Sequence, residues 1–264
     1  MIKVGVVGAL GKMGTEVCKA VIEDKDTELV FAVDKFQEGK AVTENVVIKS
    51  DLKAEIIEKK PDIVVDFTQP STIFENINTY LDLGVKSVIG TTGLTAEQIK
   101  AIEEKSNQLG VGCFIAPNFT VGAVLMMMFA QTASKYFDNA EILEFHHNQK
   151  KDAPSGTAIK TAELMSQNNI NLAQGNCEEV ETIKGSRGGK ADSNIQIHSI
   201  RMPGFMASQE VLFGAPGQIL KIRHDSVDRK CYMSGVLLAV KYLNDNNKFT
   251  YGLENILWQK NYLI

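Results

Sequence analysis

Apolar runs alternate with amphipathic stretches through the first half of the chain. Runs typical of buried strands are "IKVGVV", "ELVFAVD", "DIVVDFT", "KSVIGTTG" and "GCFIAPNF", and stretches such as "STIFENINTYLDLG" and "TAEQIKAIEEKSNQLG" read as helices between them. Strands that alternate with helices indicate a parallel, doubly wound sheet. The first half is therefore predicted to be a Rossmann-type α/β domain.

The pattern changes after Asn118. A helix with a methionine-rich apolar face, "VGAVLMMMFAQTASKYF", precedes the strand "AEILEFHHNQ" and the helix "TAIKTAELMSQNN". From residue 180 onward strands dominate, in "NIQIHSIRM", "SQEVLFG" and "QILKIRHDS". These runs predict an α+β domain whose open mixed or antiparallel sheet serves oligomerisation. The long helix "CYMSGVLLAVKYLNDN" reads as a return to the first domain.

Three glycines follow the first apolar run at Gly8, Gly11 and Gly14, and a helical pattern begins there. Glycine permits a tight turn and a close approach of the backbone to a ligand, and a helix start offers N–H groups to a pyrophosphate. The spacing is G-x-x-G-x-x-G, and Ala9 interrupts the strict G-x-G-x-x-G pattern. A plain strand-to-helix turn stays an alternative on this pattern alone.

An acid stands where a dinucleotide fold binds the adenosine ribose. Asp34 ends the second apolar run, twenty residues past Gly14. Lys35 follows it and could accept a 2′-phosphate, while Lys12 in the glycine turn could help to bind a phosphorylated cofactor. Either lysine could equally be a solvated surface charge, so the choice between NADH and NADPH stays open. The later strand ends "DFTQPS", "GTTG" and "APNFT" are predicted to line the cofactor, although each alone could be an ordinary loop.

Composition narrows the class of protein. The 264 residues are 44% hydrophobic and 23% charged, with a net charge of −4, which is typical of a folded soluble protein and disfavours nucleic acid as a partner. None of the four cysteines, including Cys177, stands in a C-x-x-C pair, so no metal site is predicted and reduced thiols are expected. The start "MIKVGVVG" has no signal-peptide pattern, and no apolar segment is long enough for a membrane span. A cytoplasmic protein is expected.

The stretch "EFHHNQKKDAPSGT" concentrates two of the four histidines and two lysines ahead of a helix. Ser155 is a candidate helix cap, and the N–H groups of Gly156 and Thr157 would then favour an anion. With Lys150 and His147 nearby, the stretch predicts a pocket for a carboxylate or phosphate, beside a histidine that can exchange a proton. A capped helix after a solvated basic loop stays the alternative.

Four polar side chains further along the chain are interpreted as structural. His198 and His224 are expected to be polar residues of the second sheet. Arg201 could pair with a Glu or Asp in that sheet, as could Arg223.

In several segments the chain resembles the 4-hydroxy-tetrahydrodipicolinate reductase (dihydrodipicolinate reductase) family. The matching segments are "VGVVGALGKMG", "VVDFTQPS", "VIGTTGLT", "APNFTVGAVLM", "EFHHNQKKDAPSGTA" and "GQILKIRHDS". They occur in the family's order across nearly the whole chain. The resemblance implies a dinucleotide-binding domain over residues 1–117 and 230–264. It also implies a substrate-binding domain over residues 118–229 that builds a homotetramer.

The resemblance also implies roles for individual residues. His146 resembles the catalytic proton donor or acceptor, and Lys150 a second proton donor that contacts a substrate carboxylate. Lys151 is given no role. The positions similar to substrate-binding residues are His147, Gly156 and Thr157, with Ser155 added. The positions similar to cofactor-contacting residues are Gly8, Ala9, Leu10, Gly11, Lys12, Met13, Asp34, Lys35, Gly90, Thr91, Thr92, Ala116, Pro117, Asn118 and Phe119.

The reaction implied is the NADH- or NADPH-dependent reduction of 4-hydroxy-tetrahydrodipicolinate, a small dicarboxylate, to tetrahydrodipicolinate in the diaminopimelate route to lysine. Hydride is delivered to a ring carbon with loss of the hydroxyl group, and His146 protonates the neighbouring carbon. Two alternatives stay open: another two-domain NAD(P)-dependent reductase of small acids, and a redox sensor that binds NADH without turnover. The "HHNQKK" and "APSGT" segments disfavour the first, and the presence of His146 and Lys150 disfavours the second.

Overall fold

The structure is a computed structural model that describes residues 1–168, 178, 180–191 and 194–257. The thiol expected at Cys177 lies outside the described residues, as does the predicted end of the first domain, residues 258–264. The contacts divide the chain into two units, Met1–Val121 with Tyr232–Ile264, and Gly122–Cys231. The predicted domain boundaries, after residues 117 and 229, lie a few residues from these.

The described residues form strands and helices in the following order. The strands are β1 (Ile2–Val7), β2 (Thr27–Val33), β3 (Ile48–Lys49), β4 (Ile63–Asp66), β5 (Lys86–Ile89), β6 (Cys113–Ile115), β7 (Asn139–His146), β8 (Gly189–Lys190), β9 (Gln196–Arg201), β10 (Ala207–Ala215), β11 (Gln218–Ser226) and β12 (Phe249–Tyr251). The helices are α1 (Lys12–Glu23), α2 (Leu52–Lys59), α3 (Ile73–Asp82), α4 (Ala96–Leu109), α5 (Val121–Ala133), α6 (Gly156–Ser166) and α7 (Met233–Asp245), with 3₁₀ turns at Arg229–Tyr232 and Leu253–Asn255.

The first unit is a parallel sheet with the order β12-β6-β5-β4-β1-β2-β3. The strands of its centre are apolar and almost fully buried, as in β4 and β5, because helices cover both faces. The direction in which successive strands are added reverses between β1 and β4. Ligands of doubly wound sheets bind outside the carboxyl ends of the strands at such a switch point. The predicted Rossmann-type α/β fold is confirmed.

The second unit is a five-stranded sheet with the order β11-β10-β7-β9-β8. It is mixed rather than wholly antiparallel, because β7 and β9 run parallel while β10 pairs antiparallel with both β7 and β11. One face packs against α5 and α6 through a core that includes Ile142, Ala162, Met165, Val211 and Phe213. We call this the helix-facing side, and the opposite side the open face.

Alternation along β7 decides which of its side chains reach each side. Ile142, Glu144 and His146 point to the helix-facing side, while Glu141 and Phe145 point to the open face. The catalytic histidine predicted from the sequence is therefore on the same side as the core of the second unit.

None of the helices in the described ranges combines the length and apolar character that crossing a bilayer requires. Across those same ranges, no group of three or more His, Cys, Asp and Glu side chains is arranged to bind a metal ion.

Candidate active site

The glycine turn joins β1 to α1 by a very close backbone approach. Gly8 has a φ of +77°, and a Cβ there would lie 2.6 Å from the carbonyl oxygen of Phe67. A Cβ at Gly14 would lie 2.0 Å from the Gly8 carbonyl oxygen. No other residue fits either position without moving the backbone, because these neighbours are main-chain atoms. The glycines thus bring the start of α1 tightly against the turn.

The start of α1 is suited to a phosphate. Gly11 is the N-cap and has no side chain to accept a hydrogen bond from the first turn, and no acidic residue lies in that turn. The N–H groups of Lys12, Met13 and Gly14 have no acceptor within the helix, because they belong to its first turn. The predicted residues Ala9 and Leu10 shape the turn, and the Ala9 N–H donates to the Val33 carbonyl oxygen at 3.1 Å.

Asp34 follows β2, and its carboxylate is tied to the backbone. Its Oδ2 accepts from the Leu10 N–H at 2.9 Å, and its Oδ1 accepts from the Phe36 N–H at 3.2 Å. The acid therefore fixes the glycine turn as well as standing at the predicted ribose position. Lys35 and Lys12 are both exposed.

Asp66, at the end of β4, was not among the residues singled out from the sequence. It is fully buried, and its carboxylate accepts hydrogen bonds from Thr68, Asn76, Tyr80 and Thr91. The shortest are from the Thr68 hydroxyl at 2.6 Å and the Tyr80 hydroxyl at 2.7 Å. Burial, together with the Asp66 charge and hydrogen bond, raises the pKa of Tyr80 well above its ordinary value of 10. Tyr80 therefore stays protonated and donates.

Residues after β5 and β6 also lie at the carboxyl edge of the first sheet, and we call the residues along this edge the rim. Thr91 is buried against Asp66, and Thr92 beside it is exposed. A Cβ at Gly90 would meet the Phe67 ring at 2.1 Å. The side chains of Ala116 and Phe119 are each 2% exposed. This leaves mainly backbone atoms of these two residues for a ligand, whereas Pro117 is exposed and Asn118 half-buried.

The rim fits a dinucleotide. The predicted cofactor residues follow β1, β2, β5 and β6, so in a parallel sheet they share its carboxyl edge. The close glycine contacts and the uncapped start of α1 are what a pyrophosphate requires.

The second unit contains a buried cluster of Glu144, His146 and Arg201. Arg201 donates from Nη2 to Glu144 Oε1 at 2.8 Å and from Nη1 to Oε2 at 3.0 Å, while His146 Nδ1 contacts Oε2. The Glu144 side chain is wholly inaccessible to solvent, and that of His146 is 15% exposed. Burial raises the pKa of the Glu144 carboxyl, but the hydrogen bonds from His146 and Arg201 outweigh burial and lower it to about 2.

The loop after β7 carries the remaining predicted cations. Lys150 Nζ donates to both carboxylate oxygens of Asp152 at 2.8 Å, so it already has an anionic partner. Arg201 also donates to the Asp152 carbonyl oxygen at 2.8 Å, which connects this loop to the Glu144 cluster. His147 is exposed, and its Nδ1 accepts from the Gln149 N–H at 3.2 Å.

Ser155 caps α6, as the sequence predicts. Its hydroxyl accepts from the Ala158 N–H at 3.2 Å, and the residue is 3% exposed. Gly156 is exposed and Thr157 half-buried, and both belong to the first turn, where N–H groups have no acceptor within the helix. The peptide bond between Ala153 and Pro154 is cis.

The remaining side chains considered in the sequence lie in the second sheet, His198 on β9, and Arg223 and His224 on β11. Arg223 pairs with Glu210 and Asp225, an arrangement that the sequence left open for it. His198 contacts Glu141 at 2.8 Å, on the open face. His224 is half-buried, and burial lowers its pKa.

Sequence reasoning missed Glu144 and Asp152. The signal for Glu144 was present, because residues two apart on a strand share a face and His146 had been singled out. Asp152 stands two residues from Lys150 within the stretch already noted.

Family models account for nearly the whole described chain. The model described as "Dihydrodipicolinate reductase, N-terminus" matches residues 2–119, and "Dihydrodipicolinate reductase, C-terminus" matches residues 122–257. The chain belongs to the dihydrodipicolinate reductase family.

Curated members of this family match the chain over almost its full length. The 4-hydroxy-tetrahydrodipicolinate reductase of Listeria welshimeri is 49% identical over 262 residues, covering 97% of this chain and 99% of that protein. The protein of the same name from Gloeothece citriformis is 48% identical over 270 residues, covering 97% and 98%. The family resemblance stated from sequence motifs is confirmed.

Solved structures agree. The dipicolinate-bound dihydrodipicolinate reductase from Paenisporosarcina sp. TG-14 superposes with a TM-score of 0.91 at 41% identity, covering 97% of this chain and all of that one. An amine dehydrogenase from Mycobacterium smegmatis shares only the fold, with a TM-score of 0.62 at 11% identity over 92% of each chain.

Proposed function

We propose that the protein is a reductase that converts 4-hydroxy-tetrahydrodipicolinate to tetrahydrodipicolinate with NADH or NADPH, in the diaminopimelate route to lysine. The observation that carries this proposal is the His146–Glu144–Arg201 cluster. It lies next to a lysine-bearing loop and a capped helix start, in a chain 49% identical to a curated enzyme of that name. A proton donor and an anion site thus stand within one short stretch.

The substrate's two carboxylates explain the polar groups of this stretch. Lys150 and His147 supply side-chain donors, and the first turn of α6, at Gly156 and Thr157, supplies backbone N–H groups. Ser155 orients that turn by capping it. Hydrogen bonds to charged groups contribute roughly 1.5–3 kcal/mol each. A dicarboxylate, dipicolinate, is bound to the relative from Paenisporosarcina, which supports the same class of ligand here.

Lys150 already has an anionic partner in the absence of substrate. Its ammonium contacts Asp152, whose side chain is 63% exposed. An incoming carboxylate therefore competes with Asp152 for Lys150, or shares it, since an ammonium has three donors.

His146 is the group to which we assign proton transfer to the ring carbon next to the reduced one. The bound dinucleotide supplies the hydride. The substrate hydroxyl leaves as water together with a proton from the neighbouring ring carbon. The reduction then returns one hydride and one proton to the ring, so the sum is uptake of one hydride and one proton and release of one water. The dinucleotide would be held by Asp34, by the rim residues after β5 and β6, and by the glycine turn and the start of α1, with Lys35 and Lys12 at the adenosine phosphate.

Steady-state kinetics of NADPH oxidation with freshly prepared substrate test the catalytic assignment. We expect kcat to fall by ~10²-fold or more in His146→Gln and Lys150→Ala, because positioned acid–base groups contribute that much. Lys151→Ala is the matched control, since this exposed neighbour has no assigned role, and it should keep kcat. Near-normal kcat in both site variants would overturn the assignment.

Fluorescence titration with NADH and NADPH tests the cofactor assignment. Lys35→Ala should weaken NADPH binding and leave NADH binding nearly unchanged, because only NADPH has a 2′-phosphate. Lys25→Ala is the control, as it is an exposed lysine that precedes β2 and so lies at the other edge of the sheet. Equal affinities for NADPH in wild type and Lys35→Ala would remove this lysine from the site.

We further propose a homotetramer formed through the open face of the second sheet, which carries Leu143, Ile200, Leu212 and the exposed Ile219. Light scattering should give a mass of four chains, and a monomeric mass would contradict it. The cytoplasm is the proposed location, because the reduced, buried thiols of Cys18 and Cys113 fit a reducing compartment. Cell fractionation tests this.

A further inference from the structure

Proton transfer by His146 does not by itself require a buried carboxylate or a guanidinium. The imidazole nevertheless contacts Glu144, which is paired with Arg201. We propose that Glu144 is a positioning residue that holds His146 as the Nδ1–H tautomer, so that Nε2 is the atom that exchanges the proton. This inference deepens the function proposed above and rests on it.

Glu144 is held as a carboxylate in a fixed orientation. Arg201 contacts both of its oxygens at 2.8 and 3.0 Å, a forked arrangement that fixes the plane of the carboxylate. The residue is wholly buried, and its two oxygens face a guanidinium rather than water. A buried carboxylate with such a partner stays ionised at neutral pH.

The ionised carboxylate decides where the imidazole proton lies. An ionised carboxylate can only accept hydrogen bonds, so the Nδ1 atom that contacts Glu144 Oε2 has to carry the hydrogen. In the neutral ring the proton is then on Nδ1, and the lone pair is on Nε2. The arrangement follows the logic of a carboxylate that orients a catalytic histidine through the nitrogen that does not react.

Arg201 also contacts the loop that follows β7. Besides holding Glu144, it donates to the carbonyl oxygen of Asp152 at 2.8 Å. Asp152 in turn contacts Lys150. The side chains proposed to transfer protons and bind carboxylate are thus connected through one guanidinium.

The same strand supplies a matched cluster without these neighbours. On the open face, Glu141 contacts His198 Nε2 at 2.8 Å and the Arg187 guanidinium at 2.5 Å. It has the same three residue types, but its carboxylate is 29% exposed and it faces away from His146. Glu141→Gln is therefore the control for Glu144→Gln.

The first test is a spectroscopic one on the wild-type enzyme. The chain has four histidines, so ¹⁵N-labelled imidazoles give few signals, and each is assigned by a His→Gln variant. The two ring nitrogens of a neutral imidazole have distinct ¹⁵N shifts, so the tautomer can be observed directly. We expect the neutral His146 ring to carry its hydrogen on Nδ1. A hydrogen on Nε2 would overturn the proposal, whatever the kinetics show.

The second test is kinetic. In Glu144→Gln we expect kcat to fall by ~10²-fold with little change in KM, because the substrate contacts remain while the tautomer is no longer imposed. The His146 signals should shift toward the Nε2–H form, and Glu141→Gln should alter neither kcat nor those signals. A kcat within about 3-fold of wild type in Glu144→Gln would overturn the positioning role.

The two proposals fail in different ways. If His146→Gln keeps near-normal kcat, the acid–base assignment fails, while the wild-type tautomer still reports whether Glu144 orients the ring. If His146→Gln is inactive and Glu144→Gln is fully active, the assignment stands and the positioning role fails. Because the tautomer is read in the wild type, the test survives a Glu144→Gln variant that does not fold.

Discussion

Each unit of the molecule contains a fully buried carboxylate near the end of a strand, and the two carboxylates have different hydrogen-bond partners. Asp66, the last residue of β4, is held by hydroxyls, an amide and a backbone N–H, all of them neutral. Glu144, on β7, is held by a guanidinium and an imidazole. A buried charge is costly unless it is compensated, and these are two ways of compensating it.

The difference matches the role proposed for each site. Neutral donors fix Asp66 as the point where the ends of β4 and β5 meet α3, so it supports the residues proposed to bind the cofactor. The Arg201 guanidinium keeps Glu144 ionised beside a histidine proposed to gain and lose a proton. Neutral networks thus suit a scaffold, and charged networks suit a group whose partner changes its charge.

Removal of the cation should have the largest effect on stability. Arg201→Met leaves Glu144 buried without its counter-ion, and breaking a buried pair in this way costs about 3–5 kcal/mol. Urea denaturation of the variant would measure the loss. Arg187→Met, at the partly exposed Glu141 cluster, is the control and should lose no more than about 1 kcal/mol.

A double variant sharpens this prediction. Glu144→Gln combined with Arg201→Met removes the stranded charge and should recover part of the stability. If Arg201→Met alone costs under about 1 kcal/mol, Glu144 finds other compensation, and the contrast with Asp66 disappears.

A single hydrogen bond of the neutral network around Asp66 should contribute less to the free energy of unfolding than the Arg201–Glu144 pair does. Tyr80→Phe removes one donor to the Asp66 carboxylate and should cost about 2 kcal/mol, because hydrogen bonds to a carboxylate contribute more than those between neutral groups. Tyr242→Phe is the matched control: Tyr242 is equally buried, but its hydroxyl contacts the Thr250 hydroxyl at 3.3 Å. The control should cost about 1 kcal/mol. An equal loss in both variants would mean that Asp66 does not strengthen its bonds.

Local patterns in the sequence predicted most of the fold, but of these two networks they predicted only that Arg201 could pair with an acid of the same sheet. β1, β2, β4 and β5 were predicted because apolar runs between helices identify parallel strands, and Ser155 because helix caps follow a local rule. β3 and β12 were not predicted, because two or three residues contain too little periodicity. The pairing of β9 with β7 was not predicted either, since it depends on strands more than fifty residues apart.

The candidate site divides in the same way. His146, Lys150 and the glycine turn stand within contiguous motifs, so the resemblance was enough to propose them as site residues. The Arg201–Glu144 pair spans 57 residues and requires the parallel register of β7 and β9. The Asp66 donors come from three separate segments, and only the fold brings them together.

Lowering the pH should destabilise the wild-type protein more than the Glu144→Gln variant. The pKa of Glu144 is about 2 in the folded protein, against an ordinary 4.5, so its contribution is complete above pH 4.5 and is lost as the pH falls toward 2. Between pH 5 and pH 3 the wild type should lose about 1 kcal/mol more stability than Glu144→Gln does. Urea denaturation at both pH values measures this difference. Parallel pH dependences of the two proteins would show that Glu144 is not held in its ionised form.

The smallest effect is expected at the exposed counterpart. Glu141→Gln removes a carboxylate that also has an arginine and a histidine partner, but its side chain is 29% exposed and water can replace those partners. The free energy of unfolding should therefore change by less than about 1 kcal/mol. Urea denaturation of Glu141→Gln beside Glu144→Gln measures the difference between like residues on one strand. If both variants lose the same stability, burial is not what separates the two clusters, and the special role inferred for Glu144 would have to come from its neighbours alone.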